Sequence, residues 1–235
     1  MKGWDWEGFW SYFTNLYLLE GALVTIGLTV STLFFGGLIG LVLATLRLSK
    51  HKALSRTAQT YIWIFRGTPL LVQLIIIYTG LPQLGMVRFS VLESAMLGLA
   101  LNEAAYLSEI LRGGILSVAK GQTEAARALG LKPFQIFRQI VLPQALRVII
   151  PPLGNSVNGL LKTTSIASVI SMEEILRRGQ ILMQQKFQVL EIFMVVAIIY
   201  LMMTTCWDFV QRRIEAYYGK AYGAIETKQL ARDDH

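Results

Sequence analysis

The hydrophobic positions fall into long runs. Roughly 21–46, 57–80, 91–111 and 189–210 are each apolar over 20 residues or more. A hydrocarbon core of ~30 Å takes about 20 apolar residues in helical form, so each run predicts a membrane-spanning helix. One further run, 146–170, the fourth in chain order, is interrupted by Pro151, Pro152, Gly154, Asn155, Asn158, Gly159 and Lys162, and it predicts a broken span. The expected architecture is all-α integral membrane, with five transmembrane helices forming one domain over residues 21–212.

The polar segments between the runs set the orientation. The 47–60 loop carries Arg47, Lys50, Lys52 and Arg56, the 112–147 loop six further cations, and the tail five more, Arg212, Arg213, Lys220, Lys228 and Arg232. On the other side stand five cations, Lys2, Arg88, Arg177, Arg178 and Lys186. Fifteen against five places the N-terminus outside and the C-terminus inside. An odd number of spans agrees, and 213–235 is expected as a cytoplasmic tail. Residues 1–20 carry Trp4, Trp6, Phe9, Trp10, Tyr12, Phe13 and Tyr17, a density of rings that suits the membrane–water interface. A cleavable signal peptide is not expected, because Asp5 and Glu7 follow the one cation, Lys2.

Composition narrows the class. Of 235 residues 54% are hydrophobic and 16% charged, too few charges for a water-soluble surface. The net charge of +7 belongs to cytoplasmic loops, and nucleic acid is not an expected partner. One cysteine, Cys206, excludes an internal disulfide, and with His51 and His235 alone no metal site is expected.

The longest cytoplasmic connection, 112–145, reads as a helical hairpin. Thr123 is placed to cap a short helix, Glu124 to Leu129, whose first-turn carboxylate complements the helix dipole. Gly130 suits a left-handed turn, Pro133 opens a second helix, and Pro143 stops it. Ala125, Ala126 and Ala128 give a thin face that fits a partner's groove or belongs to an ordinary surface helix.

Polar groups inside a membrane are costly unless they pair or face water. In the fourth run Asn155, Asn158, Lys162 and Ser165 recur at steps of three and four and share a helix face. That face lines a cavity or holds a helix–helix contact. In the third run Asn102, Tyr106, Glu109 and Gly113 share a face, with Glu103 beside it. Asn102, Glu103 and Tyr106 lie mid-depth and suit ligand contact. Glu109 lies near the cytoplasmic end, where it pairs with Arg112 or with Arg66 to fix packing or gate the inner end. Arg66 and Gln73 share a face in the second run, with Pro69 allowing a kink between them.

Three segments together resemble a known family. Glu124-Ala125-Ala126, three residues, Gly130, nine residues, Ile140, one residue, Leu142-Pro143 is similar to the EAA loop of bacterial ABC importer permeases. Phe65-Arg66-Gly67-Thr68-Pro69-Leu70-Leu71-Val72-Gln73 and the stretch from Ala105 to Gly114 resemble the polar amino-acid branch of that family, which serves ligands of the histidine, glutamine, arginine and glutamate type. Leu161-Lys162-Thr163-Thr164-Ser165 is similar too, but Thr163 stands where the branch often carries Asp, which weakens an expectation of cationic ligands.

The resemblance implies the type I importer permease fold in a bacterial inner membrane. It implies a transport subunit rather than an enzyme. Glu124, Ala125, Ala126, Gly130 and Pro143 would contact an ATPase, and Asn102, Glu103, Tyr106, Asn155, Asn158, Lys162, Thr163 and Ser165 would line a ligand pathway. The implied partners are two ATPase subunits, a second permease subunit and an external binding protein that delivers an amino acid. No GxxxxGK[ST] loop is present, so ATP and magnesium are expected on the partner and no cofactor in this chain. Glu103 would meet an ammonium, and Lys162 or half-helix amides a carboxylate. Arg177, Arg178 and Glu173-Glu174 would face the binding protein or solvent. The rival reading is an ion-gradient-driven secondary transporter using Glu103, Glu109 and Lys162 as proton carriers.

Overall fold

A computed structural model describes residues 4–233, with side chains described through Gly219. Lys2, His235 and the side chains of Lys220, Lys228 and Arg232 lie outside the described residues.

The order is α1 (Trp6–Phe13), α2 (Leu16–Arg47), α3 (Lys52–Gly67), α4 (Leu70–Ile75), α5 (Leu81–Gln83), α6 (Val91–Leu116), α7 (Lys120–Ala128), α8 (Pro133–Ile136), α9 (Leu142–Thr163), α10 (Ile175–Lys186) and α11 (Val189–Asp233). Three stretches are each long and apolar enough to cross a membrane: Leu16–Arg47, Pro133–Ile170 and Val189–Gly219. The bent pair Lys52–Gly67 and Leu70–Gln83 counts as a fourth. The 26 residues of α6 suffice in length but include Glu93, Glu103, Glu109 and Arg112.

The spine is the parallel seam of α2 and α6. Gly36 and Gly40 lie one turn apart on α2 and meet Ala100, Ala104 and Ser108 of α6. A methyl group added at Gly36 would stand 3.1 Å from the Ala100 carbonyl, and one at Gly40 3.1 Å from that of Ala104. In a membrane no hydrophobic force pulls helices together, so close backbone approach through small residues must supply the contact. The opposite face of α2 carries exposed Leu23, Val30, Phe34, Leu38 and Val42, as a lipid-facing stripe requires.

Proline acts in three ways. At Pro69 the second apolar run turns by 102°, a break rather than a kink. Thr68, before it, takes the extended conformation (φ −119°, ψ 145°) that a following proline favours. With the helix broken, Arg66 and Gln73 no longer share a face. Before Pro82 and Pro143 the helix widens into one π turn, Ile76–Gly80 and Phe137–Val141, each closed by a residue i to i−5 bond from Leu81 or Leu142. Pro143 therefore does not stop the second hairpin helix, and the path from Pro133 to Ile170 stays helical. At Pro151 and Pro152 the helix continues unbroken to Thr163 and then tightens to a 3₁₀ turn over Thr164–Ile170. The break expected in the fourth run lies in the second.

The end of the bundle that carries α1 and α10 is braced by polar contacts. Glu174 caps α10 and is fully buried, accepting from Tyr200 Oη (2.7 Å) and from the Arg177 amide (2.8 Å). Arg178 donates to Glu20 (2.7 Å) and to the Tyr17 carbonyl (2.9 Å). These two residues, expected to face a partner or solvent, tie α10 to α2 and α11 instead. The aromatic helix α1 is stapled to the start of α11. Tyr12 Oη donates to Gln188 (2.5 Å), and Gln188 donates to Asp5 (2.6 Å). Burial, with the Asp5 and Glu191 carboxylates nearby, pushes the Tyr12 phenol up, so it stays a donor. Trp6 and Trp10 remain 64% and 63% exposed, as an interfacial helix would leave them.

Candidate functional site

A cavity of about 710 Å³ opens between the break in the second run, α6 and α9. Its shape begins with the break. Pro69 lacks an amide, and the last turn of α3 leaves carbonyls without donors. Gln73 fills the gap: its Nε2 donates to the Phe65 carbonyl (3.0 Å), the Thr68 carbonyl (3.2 Å) and Thr68 Oγ1 (2.8 Å). Asn102 reaches across from α6, donating to the Phe65 carbonyl (3.1 Å) and to Gln73 Oε1 (3.0 Å). Tyr61 Oη, one turn lower on α3, donates to the Leu101 carbonyl (2.8 Å). Six polar bonds from three side chains thus brace the break, and the three made by Asn102 and Tyr61 hold the bent helix against α6.

Charge enters the cavity from two helices. The Arg66 guanidinium lies 5.1 Å over the Tyr106 ring, a cation–π contact that leaves its donors free to turn toward the cavity. Glu103 is buried on α6 and accepts from Ser156 Oγ of α9. Asn155, Gly159 and Thr163 complete the α9 wall, and Leu70 opens α4 at the rim. A cation, a carboxylate and several neutral donors in one cavity of this size can receive a small polar solute carrying both charges.

Of the residues expected to share a pathway, Asn102, Glu103, Tyr106, Asn155 and Thr163 line this cavity, together with Arg66 and Pro69. Asn158 turns to α11 and donates to Asp208 (2.6 Å). Beside it Gly154 approaches α11 closely, and its carbonyl accepts from Trp207 Nε1 (2.8 Å). Lys162 is exposed outside the cavity, and Ser165 donates to the Lys162 carbonyl (2.6 Å). One polar stripe on α9 thus divides: Asn155 faces the cavity while Asn158 makes a helix–helix contact. Sequence reasoning missed Thr68 and Ser156. Thr68 was legible from its place before Pro69, but Ser156 lies about 100° round the helix from neighbouring Asn155, off the polar stripe.

Below the cavity Glu109 binds Arg112 through contacts of 2.7 to 3.1 Å. Arg47 of α2 approaches to 3.8 Å from the other side. The expected partner Arg112 is found, and the second cation is Arg47 rather than Arg66. The lock ties the C-terminal ends of α2 and α6 together.

The hairpin lies beyond that lock. α7 starts at Lys120 behind an Ala119 N-cap, so Thr123 sits inside the helix, bonding back to the Lys120 carbonyl (2.7 Å), and does not cap it. Gly130 takes φ +79° and its amide closes on the Arg127 carbonyl (2.9 Å). Pro133 opens α8. Ala126 is buried on the core formed with Val118, Ile136, Val141 and Ala145, so it faces inward. Glu124, Ala125 and Ala128 face outward, and Leu129 and Phe134 project with 80% and 70% exposure. Two large apolar side chains exposed on a charged hairpin suit a docking surface.

The comparisons agree with this arrangement. Residues 36–218 match the family model described as binding-protein-dependent transport system inner membrane component. A probable amino-acid permease of Bacillus subtilis, YxeN, is 38% identical over 220 residues, covering 93% of this chain and 97% of that one. The arginine transport system permease ArgU of Corynebacterium glutamicum is 35% identical, covering 98% of this chain and 77% of that one. Among solved structures, an amino acid ABC transporter with histidines superposes with a TM-score of 0.85 at 35% identity, over 92% of this chain and 100% of that one. The MetNI methionine ABC transporter in an inward-facing conformation superposes with a TM-score of 0.73 at 22% identity, over 87% and 97%, a likeness of fold alone. The chain therefore belongs to the inner membrane components of binding-protein-dependent transport systems, with the type I ABC importer permease fold.

Proposed function

We propose that this chain is the permease subunit of an ATP-driven importer and translocates a polar amino acid delivered by an external binding protein. The observation that carries the reading is the cavity at the break of α3 and α4, with Arg66 and Glu103 brought to one space from different helices. A zwitterionic amino acid presents a carboxylate and an ammonium. Arg66, with the first amides of α4, takes the carboxylate, and Glu103 takes the ammonium, with Asn155 and Thr163 beside them. Lys162, assigned the carboxylate from sequence, is replaced in that role by Arg66 because Lys162 points elsewhere. The names of the relatives, an arginine permease among them, support this ligand class.

The drive comes from outside the chain. Glu124, Ala125 and Gly130, with Leu129 and Phe134, form the surface that two ATPase subunits grip, one on each of two permease subunits, while Ala126 and Pro143 hold the hairpin on the membrane domain. ATP and magnesium sit on those partners. Five spans place α1 outside and the end of α11 inside, with α6 as the third span, and Glu109, Arg47 and Arg112 close the cytoplasmic end. The experiment is site-directed crosslinking. In a Cys206→Ser background, Ala128→Cys is expected to crosslink to the co-expressed ATPase, and the exposed external control Arg88→Cys is not. No crosslink from any outward hairpin position would remove the coupling role.

A further inference from the structure

The turn between α2 and α3 carries three cations that have no ion-pair partner among the described residues. From Arg47 to Arg56 the sequence holds four Lys or Arg residues and no acid. Arg47 is engaged, reaching Glu109 at 3.8 Å, Ser55 at 3.4 Å and Gln59 at 3.3 Å. Lys50, Lys52 and Arg56 are exposed and make no ion pair among the described residues.

Their depth is fixed by Arg47. Its partner Glu109 stands near the end of the apolar part of α6, and α6 runs on past Arg112 to Leu116 before α7 begins at Lys120. The turn therefore lies level with the end of the hydrocarbon, and the ATPase-facing hairpin projects beyond it. Helix α3 then climbs back inward. Lys52, Arg56 and Trp63 recur at four and seven residues, on one exposed stripe, and Trp63 is 74% exposed. Ile64, the next residue, is exposed as well. Cations at the surface end and a bare indole at the buried end match a molecule with an anionic head and an apolar tail. A soluble polyanion would leave the apolar end unmatched.

We propose that the α2–α3 turn binds an anionic phospholipid of the inner leaflet, its phosphate held by Lys50, Lys52 and Arg56 and its acyl chain along Trp63. The site rests on the proposed orientation and span arrangement. It anchors α3, which forms one side of the break that lines the cavity, so the lipid bears on the element that shapes the pathway.

The test is native mass spectrometry of the full-length chain in detergent micelles doped with phosphatidylglycerol or phosphatidylcholine. Phosphatidylglycerol adducts are expected on the wild-type chain at concentrations where phosphatidylcholine gives none. Each cation near an anionic surface contributes about five-fold, so K50Q/K52Q/R56Q is expected to weaken binding roughly 100-fold. The charge-keeping K50R/K52R/R56K is expected to retain it, which separates lost charge from lost fold. R212Q/R213Q, on cations elsewhere at the cytoplasmic end, is expected to bind as wild type. Equal binding of both lipids, or undiminished phosphatidylglycerol binding by the neutral triple variant, overturns the proposal. Loss of ATPase capture by that variant with lipid binding intact would assign the patch to a protein contact and overturn it too. Micelles have no sides, so failure here leaves the proposed orientation standing.

Discussion

Gln73 holds more of the cavity's shape than any charged residue, because it satisfies the carbonyls that Pro69 releases. Gln73→Leu keeps the volume and removes the donors. Stranding buried carbonyls costs about 1–3 kcal/mol, and a lowered melting temperature of the purified chain would report it. An unchanged melting temperature would mean the break holds without Gln73. Glu103→Gln keeps shape and removes charge, and amino-acid uptake is expected to fall roughly 10- to 100-fold while melting stays near wild type. Lys162→Met, outside the cavity, is expected to leave uptake close to wild type, and parity of the two variants would refute the assignment of Glu103. Polar residues at depth were legible in the sequence: Asn102, Glu103 and Tyr106 stood out by position alone and all line the cavity. Gln73 was misplaced because helical periodicity was carried through Pro69, where the helix stops. Asn158 shared Asn155's stripe, and only packing against Asp208 tells the two apart.

At the scale of elements, the same residue type acts differently according to what its neighbours supply. The break at Pro69 persists because Gln73 and Asn102 pair the freed carbonyls. Before Pro82 and Pro143 a wider turn relieves the clash with the preceding turn, and the helix goes on. Hydrophobic periodicity found the long runs and the hairpin, but it cannot rank prolines, since their effect depends on donors from other helices. The hairpin turn itself was readable from Gly130, whose φ of +79° excludes branched side chains. Gly130→Val meets no steric clash, so its cost is backbone strain of about 1–3 kcal/mol confined to the turn. ATPase capture is expected to drop at least several-fold in pull-down while membrane insertion persists. The α2–α6 seam makes the opposite demand. Gly36→Leu overfills a contact of 3.1 Å and is expected to destabilise the bundle by about 1–3 kcal/mol, read as early aggregation on heating. Gly37→Leu, which meets nothing within 4 Å, is the matched control.

The whole molecule is held differently at its two ends. Polar staples tie α1, α10 and α11 at one end, while a single carboxylate held between Arg47 and Arg112 pins α2 to α6 at the other, beside the hairpin. The proposed coupling role predicts a path for force from α7 through Ala126 and the apolar cluster around Ala145, then along α9 to the cavity wall at Asn155 and Thr163. The fold class and family were legible because long apolar runs and one spaced motif survive any rearrangement of side chains. The cavity was half legible, since it forms where three helices meet. The most direct measurement is uptake of a labelled amino acid by proteoliposomes holding this chain, its ATPase and its binding protein. Uptake is predicted only with ATP enclosed on the ATPase side and is predicted to be lost in Gly130→Val. Undiminished uptake driven by an ion gradient, with neither ATPase nor ATP present, would contradict the account.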